Sequence, residues 1–361
     1  MGQTILAFTL IDFTDQRLAF AARILADLGA LVVRVEGKGH PQVGPGYVLR
    51  NMNKHVMRLN LEREEGREVF LRLIKRAHAL IDGAGSFACA ISKEPPTELN
   101  PSLVHVSLKA DGKGGLPDDY VVSASAGQMA AMGEGVFRSL PPGQNYYVLC
   151  LYGAIAVLLG LEKRDREGKG LYLELSLEEC AISVIEDVLV RYRSGRAGAE
   201  RGVDTSNNGL ICTVDCKDGP FQIALPYGLE TMMELLAADG IIGEPMEEGK
   251  GHGVIARAIK QWAASRTRNE LFEMGQSMRL PFAPILSPFE VRKNVHLRSR
   301  RFIRQVKTEW AKHSIPSMPY RFSPSGRLKF RPPTPITDRL CKELLGLSDR
   351  EFVALKDGGV L

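Results

Sequence analysis

The sequence of 361 residues has no glycine fingerprint for a dinucleotide. Its first apolar stretch hands over to its first helical one through Phe13-Thr14-Asp15-Gln16-Arg17, with no Gly-x-Gly-x-x-Gly to let the backbone approach a pyrophosphate. The later glycine clusters at 112–115 and 249–253 stand outside any strand-to-helix junction and read as turns. A Gly-Lys-Ser/Thr phosphate loop is missing, so NAD and ATP chemistry are disfavoured. So is a Gly-x-Ser-x-Gly elbow, which leaves an α/β-hydrolase triad without an anchor. The seven histidines are isolated, and the Cys212/Cys216 pair has no second Cys/His pair at a useful spacing. Packed thiols are the expectation there, with no metal.

Other absences narrow the class further. The opening MGQTILAFTLIDFTDQ has no basic n-region, so no secretory leader is expected; Leu6 stands where a myristoylation signal wants Ser or Thr. The longest apolar run, Tyr146 to Leu161, falls short of the roughly 18 residues that cross a bilayer and reads as a buried helix. Six scattered cysteines then point to free thiols in the cytoplasm. The formal charge of +5 is small, and Lys and Arg are interleaved with acids, as in Glu62-Arg63-Glu64-Glu65-Gly66-Arg67. That argues against nucleic acid as a partner. The local run Arg298, Arg300, Arg301 and Arg304 reads as a solvated face or subunit contact.

What is present is alternation. Ile5 to Asp12 reads as a strand, followed by a helix capped by Thr14 or Asp15 and stopped at Gly29. Leu31 to Val35 is β-branched and short, hence a strand. His55–Leu61, Ala79–Asp82 and Leu103–Ser107 follow as strands, with a helix over Glu64–Ala77. Helices are expected over Ser123–Met132, Tyr146–Lys163 and Leu177–Ser194, with Gly168-Lys169-Gly170 ending the second and Leu171–Leu175 a strand. This spacing predicts an α/β fold with a Rossmann-like parallel sheet. The Gly-, Arg- and Asn-rich stretch 194–208 reads as a linker. The predicted organisation is a large domain over 1–200, a small α+β domain over 205–290, and a segment over 291–361 that returns to the large domain. From Pro281 the chain reads as irregular until a last helix at Asp338–Leu345.

An ordered set of short motifs adds a resemblance. Thr14-Asp15, Leu25-Ala26-Asp27-Leu28-Gly29-Ala30 and Val33-Arg34-Val35-Glu36 come first, then Asn51-x-x-Lys54 and Glu65-Gly66-Arg67. Asn100-Pro101-Ser102-Leu103-Val104 follows, then Gly115, Pro117, Asp119, Ala124 and Gly127. Arg164-x-Arg166-x-Gly168-Lys169-Gly170 leads into Glu174-Leu175-Ser176-Leu177, and Pro281–Ile285, Leu297–Arg300 and Leu344–Ser348 close the series. In this order, over nearly the whole chain, they resemble the family III CoA-transferases, the CaiB/BaiF group. The resemblance implies that family's fold, an interlocked dimer, and transfer of CoA between carboxylic acids through an aspartate that attacks the acyl-CoA thioester. CoA would be substrate, with no separate cofactor.

The resemblance also locates a departure. The family's aspartate lies at the start of the helix that precedes Gly-Lys-Gly, and counting back from Gly168 puts Tyr146 there, between Asn145 and Tyr147. No Asp or Glu occurs from Arg138 through Gly160. A phenol, with a pKa of about 10, does not replace a carboxylate nucleophile at neutral pH. The family's racemases add a histidine that would fall near Asp118 to Ser123, and none is there. After the fourth strand the chain reads Asp82-Gly83-Ala84-Gly85-Ser86-Phe87, without the family's Glu-Asn-Phe/Tyr-x-Pro-Gly, and Ile91 falls at an arginine position. Arg34 and Lys38 are what remains as candidate contacts for CoA phosphates. The resemblance therefore implies a chain without its own nucleophile, serving beside a homologous catalytic subunit that handles acyl-CoA and a carboxylic acid. Two alternatives stay open: a lyase, hydratase or isomerase using Asp119, Tyr146 or Tyr147, and a non-catalytic homodimeric binding protein.

Overall fold

A computed structural model describes residues 5–37, 44–83, 91–109, 117–131, 140–185, 210–243, 252–320 and 330–361, with Val190 and Phe322. The chain divides into two compact units. One comprises 1–129, 139–187 and 301–361; the other comprises 130–138 and 188–300.

The larger unit is built on a seven-stranded parallel sheet. Its strands are β1 (Thr9–Phe13), β2 (Leu31–Gly37), β3 (His55–Leu59), β4 (Ala79–Gly83), β5 (Val104–Lys109), β6 (Leu171–Ser176) and the short β12 (Thr334–Pro335). They lie in the order β12-β3-β2-β1-β4-β5-β6, with every pairing parallel. The inner strands are nearly continuous apolar runs because helices bury both faces. On one face α1 (Phe20–Asp27), the long α7 (Gln144–Glu167) and α8 (Leu177–Ser183) pack on Leu10, Val32, Ala79, Val104 and Val106. On the other, α3 (Glu64–Arg76), α14 (Asp338–Leu345) and α15 (Asp349–Asp357) pack on Ile11, Val33, Met57 and Leu80. The strand order reverses between β1 and β4, and in open parallel sheets the crevice at the carboxyl ends of such strands is where ligands bind.

Several family-like motifs turn out to be fold devices. A Cβ on Gly66 would lie 1.9 Å from the Asn60 carbonyl oxygen, so only glycine lets α3 start there. Arg67 donates to the carbonyls of Leu61 and Glu62. Asn100 donates to the carbonyls of Ile74 and Ala77, closing the end of α3. At Gly170 a Cβ would fall 2.2 Å from the Leu103 carbonyl oxygen.

The smaller unit has an antiparallel sheet, β7 (Leu210–Cys216), β8 (Gly219–Leu225) and β9 (Phe282–Pro284). Helices α9 (Leu229–Ala238), α10 (His252–Ala264) and α11 (Arg268–Met278) cover its apolar side around Trp262 and Phe221. Beyond β9 lie α12 (Pro288–Lys293) and α13 (Val295–Ser299), and Arg268 holds α12 in this unit through Glu290.

The structure differs from the sequence reading in several places, among them the helix expected over Leu177–Ser194, which ends at Ser183 and gives way to a turn at 184–185. Residues 16–19 form turns, so α1 begins at Phe20 and neither Thr14 nor Asp15 caps it. The helix expected over Ser123–Met132 is two short ones, α5 (Asp119–Ser125) and α6 (Gln128–Ala131), broken where Gly127 takes φ +77°. The stretch from Pro281 is not irregular: Ser287 and Glu290 form a capping box for α12, and β10 (Ile303–Lys307) and β11 (Lys312–Pro316) pair as a hairpin. A further helix, α15, follows α14, its start capped reciprocally by Ser348 and Glu351. The linker at 194–208, the clusters at 112–115 and 249–251, Lys38, residues 84–87 and Cys89 lie outside the described residues.

Candidate functional site

The segment leaving β1 runs along the crevice at the switch point and meets the first turn of α7. Its start is held by a buried charge cluster. Asp12, at the carboxyl end of β1, accepts from Lys54 Nζ at 2.7 Å and from Arg34 at 3.1 Å. Its other oxygen accepts from the Thr14 hydroxyl at 2.6 Å. Lys54 also donates to Asn51 Oδ1 and to the Ala19 carbonyl, which uses all three of its protons. Arg34 reaches on to Glu36, which also accepts from the Tyr47 hydroxyl.

Burial alone would raise the Asp12 pKa, but Lys54 and Arg34 more than offset it and hold the carboxyl below its ordinary value. Lys54 goes the other way. Burial lowers it to about 8, against the pull of Asp12 and with Arg34 adding to the fall. The directions differ because Asp12 faces two cations, whereas Lys54 faces one anion and a like charge.

Arg34 is therefore a buried ion-pair partner, 4% exposed. A CoA phosphate at this guanidinium would have to displace Asp12 or Glu36. The Asn51-x-x-Lys54 motif is the sequence trace of this cluster, and reading it only as a motif missed Asp12 as its centre.

The head of α7 is the second half of the site. Gly143, in the left-handed region at φ +95°, precedes the helix, and its N–H donates to Asp119 Oδ2 at 2.8 Å. Tyr146 lies in the first turn. Its hydroxyl donates to the Pro117 carbonyl and accepts from Arg17 at 3.3 Å, and the Arg17 guanidinium lies 5.1 Å from the centre of its ring. Burial raises the phenol pKa; Arg17 opposes this, while Asp119, Asp15 and Asp118 add to it. Tyr146 is thus a neutral hydrogen-bonding group, not a latent phenolate nucleophile.

The flanking residues offer no substitute. Asn145 accepts from Gln128 at 2.8 Å and donates to the Ser123 hydroxyl at 3.0 Å, all of it buried. Tyr147 packs edge-on against Phe20. One turn on, Cys150 points its thiol at the Leu18 carbonyl, and burial pushes it up to about 12. The structure thus brings Asn145, Tyr146 and Tyr147 to the head of one helix and puts Arg34 in a separate cluster beside β1.

Of the carboxylates that act on the Tyr146 phenol, Asp119 also holds the start of the helix. Asp119 is 6% exposed, and its Oδ1 is buried without a hydrogen-bond partner among the described residues. A second buried pair lies further along the sheet, where His105 Nε2 is 3.2 Å from Asp82 Oδ1. Among the described residues no group of three His, Cys, Asp or Glu side chains is placed to hold a metal ion.

Comparison with known proteins agrees with this architecture. The model of the family described as CoA-transferase family III matches residues 8–338. The chain is 26% identical to the BbsE subunit of succinyl-CoA:(R)-benzylsuccinate CoA-transferase from Thauera aromatica, covering 89% of each chain. It is 23% identical to the beta subunit of succinyl-CoA–L-malate CoA-transferase from Chloroflexus aurantiacus, covering 95% of this chain and 94% of that one. A CAIB/BAIF family protein from Brucella suis superposes with a TM-score of 0.80 at 20% identity, over 95% of this chain and 100% of the other.

Proposed function

This chain belongs to CoA-transferase family III, and from that premise we propose that it is the subunit without a nucleophile in an enzyme that moves CoA between two carboxylic acids. The observation that carries the reading is Tyr146. Exchange through a covalent carboxylate requires attack on the thioester carbonyl, expulsion of the CoA thiolate, and return of that thiolate to the enzyme carboxyl. A neutral phenol that donates its proton to a backbone carbonyl does none of these. The nucleophile would come from a homologous subunit. Named relatives that are subunits of CoA-transferases make such a partner a natural one.

In this reading the chain works in the cytoplasm, without nucleic acid or membrane, with acyl-CoA and a carboxylic acid as substrates of the complex. Lys38 and Arg34 are the basic candidates for the CoA phosphates, Arg34 only if it gives up an ion pair. The test is transfer from succinyl-CoA to a panel of carboxylates, with the chain alone and with a co-expressed family III chain that has an acid in this helix turn. Borohydride trapping then reads which chain carries the covalent thioester. Activity or an adduct on this chain alone overturns the reading.

A second reading has one observation in its favour. The Oδ1 of Asp119, without a hydrogen-bond partner among the described residues and beside the helix head, favours an active acyl-CoA enzyme of altered chemistry. In that case the lone chain is active and Asp119→Asn abolishes the activity.

A further inference from the structure

Helix α2 (Pro45–Asn51) ends beside the segment that leaves β1, and its last turn carries an arginine without a counterion. Four other cations around this crevice each have one. Arg17 pairs with Asp15, Arg23 with Asp27, Arg34 with Asp12 and Glu36, and Lys54 with Asp12. Arg50 has no ion pair and no hydrogen bond among the described residues, and its Nε is buried. Its head is turned back along α2: a Cβ on Gly46, one turn earlier, would lie 3.1 Å from Nη1. It also stands close enough to Cys150, whose thiol points at the Leu18 carbonyl, to oppose the rise of that thiol's pKa. Gln16 lies in the same segment as Leu18. Its Oε1 accepts from Asn51, the residue after Arg50, at 3.3 Å, while its Nε2 is buried without a hydrogen-bond partner among the described residues. Two donors without acceptors therefore stand where α2 meets the segment after β1, at the switch point of the sheet.

The chemistry of the two groups says what satisfies them. Both are donors, so the missing group is an acceptor. Withdrawing a guanidinium from water without an acid beside it costs stability. A water molecule would serve Gln16 but would leave the charge of Arg50 uncompensated. The buried acid of this crevice, Asp12, is already held by Lys54 and Arg34. A carboxylate or a phosphate brings both the charge and two oxygens in the plane that the arginine fork requires. Both side chains are half-buried as a whole, and so stay within a ligand's reach.

We propose that Arg50 and Gln16 form an oxyanion site in the crevice, taking a phosphate of CoA or the free carboxylate of an acid substrate. The site does not depend on which subunit supplies the nucleophile. The test is calorimetry on the full chain with CoA, pantetheine and succinate, for the wild type, Arg50→Met, Arg50→Lys and Gln16→Glu. Arg50→Met is expected to weaken CoA, succinate or both about tenfold or more, and to leave pantetheine, which has no phosphate, unchanged. A loss for CoA and not for succinate assigns a phosphate; the reverse assigns a carboxylate. Arg50→Lys keeps the charge without the fork and falls between. Melting temperatures without ligand give the second readout. Gln16→Glu is expected to raise the melting temperature, by supplying in place the acid that Arg50 lacks, and to weaken the same anion as Arg50→Met does. Affinities for CoA and succinate that Arg50→Met leaves unchanged overturn the proposal, as does a wild type that binds neither. A melting temperature lowered by Gln16→Glu also overturns it, because position 16 then does not share a site with Arg50.

Discussion

Tyr146 is fastened to Pro117. The phenol at the head of α7 donates to the carbonyl of a residue 29 positions earlier, just ahead of α5. The tyrosine therefore ties the start of the long helix to the segment before α5. Tyr146→Phe removes this tie and leaves the Pro117 carbonyl without it. A loss of about 1 kcal/mol in urea unfolding is expected and, under the proposed function, no change in transfer by the complex. A large fall in turnover with unchanged stability would contradict the structural role. Tyr146→Asp is expected to keep the fold, as read by circular dichroism, since Arg17 is at hand to pair with the carboxylate.

The Asp12–Lys54 pair gives a sharper stability prediction. Both side chains are fully buried, so Lys54→Met leaves Asp12 with Arg34 as its one ion-pair partner among the described residues. Breaking one arm of a buried ionic network costs about 3 kcal/mol or more. Chemical denaturation measures it directly; a loss under about 1 kcal/mol would show that the cluster is not a keystone of the crevice.

The same cluster has a pH signature with opposite signs at its two ends. Asp12 has a folded pKa below its unfolded 3.8. Its stabilisation is present above the unfolded value and is lost as pH falls through the lower folded one. Lys54 falls from 10.5 to about 8 on folding, so between those values the unfolded chain binds more protons. Its contribution to stability therefore rises across that window. The stability difference between the wild type and Lys54→Met should widen from pH 8 upward; a difference that stays flat or shrinks would contradict the assigned direction.

Asp119 holds the N–H of Gly143, ahead of α7. Asp119→Ala frees it and is expected to cost about 1–2 kcal/mol, while Asp119→Asn keeps an acceptor and recovers most of the loss. Faster amide exchange confined to the first turn of α7 in the alanine variant is the local readout. Equal losses in both variants would argue for the charge over the hydrogen bond.

Cys150 should be inert. Its thiol is buried and pushed up to about 12, so at pH 8 it holds almost no thiolate. Iodoacetamide should modify it only after unfolding, as read by peptide mass spectrometry. Rapid labelling in the native protein would mean that α7 opens away from the loop after β1.

The motifs that made the fold legible are those whose residues serve the backbone. Gly66, Asn100 and Gly170 have local reasons to be what they are, and their spacing along the chain carries the strand and helix order with it. The capping boxes after Pro281 were equally local, yet the prolines obscured them; Pro288 sits in the first turn of α12, where its missing N–H costs nothing. Asp12 was not legible as a site residue, because nothing within a few positions shows that Arg34 and Lys54 converge on it. That convergence comes from strand order, which sets β2 and β3 beside β1.

The sequence by itself determined that this chain has a parallel α/β sheet with a smaller second unit, and that no acid stands at the head of its long helix. Both are matters of local pattern and counting. Only the tertiary structure decided that Arg34 is held in ion pairs, that Tyr146 is hydrogen-bonded and neutral, and that Asp119 has an oxygen to spare. Apart from the Arg34–Glu36 pair, the pairing is set by residues 20 to 130 positions away, and it determines what a side chain can do chemically.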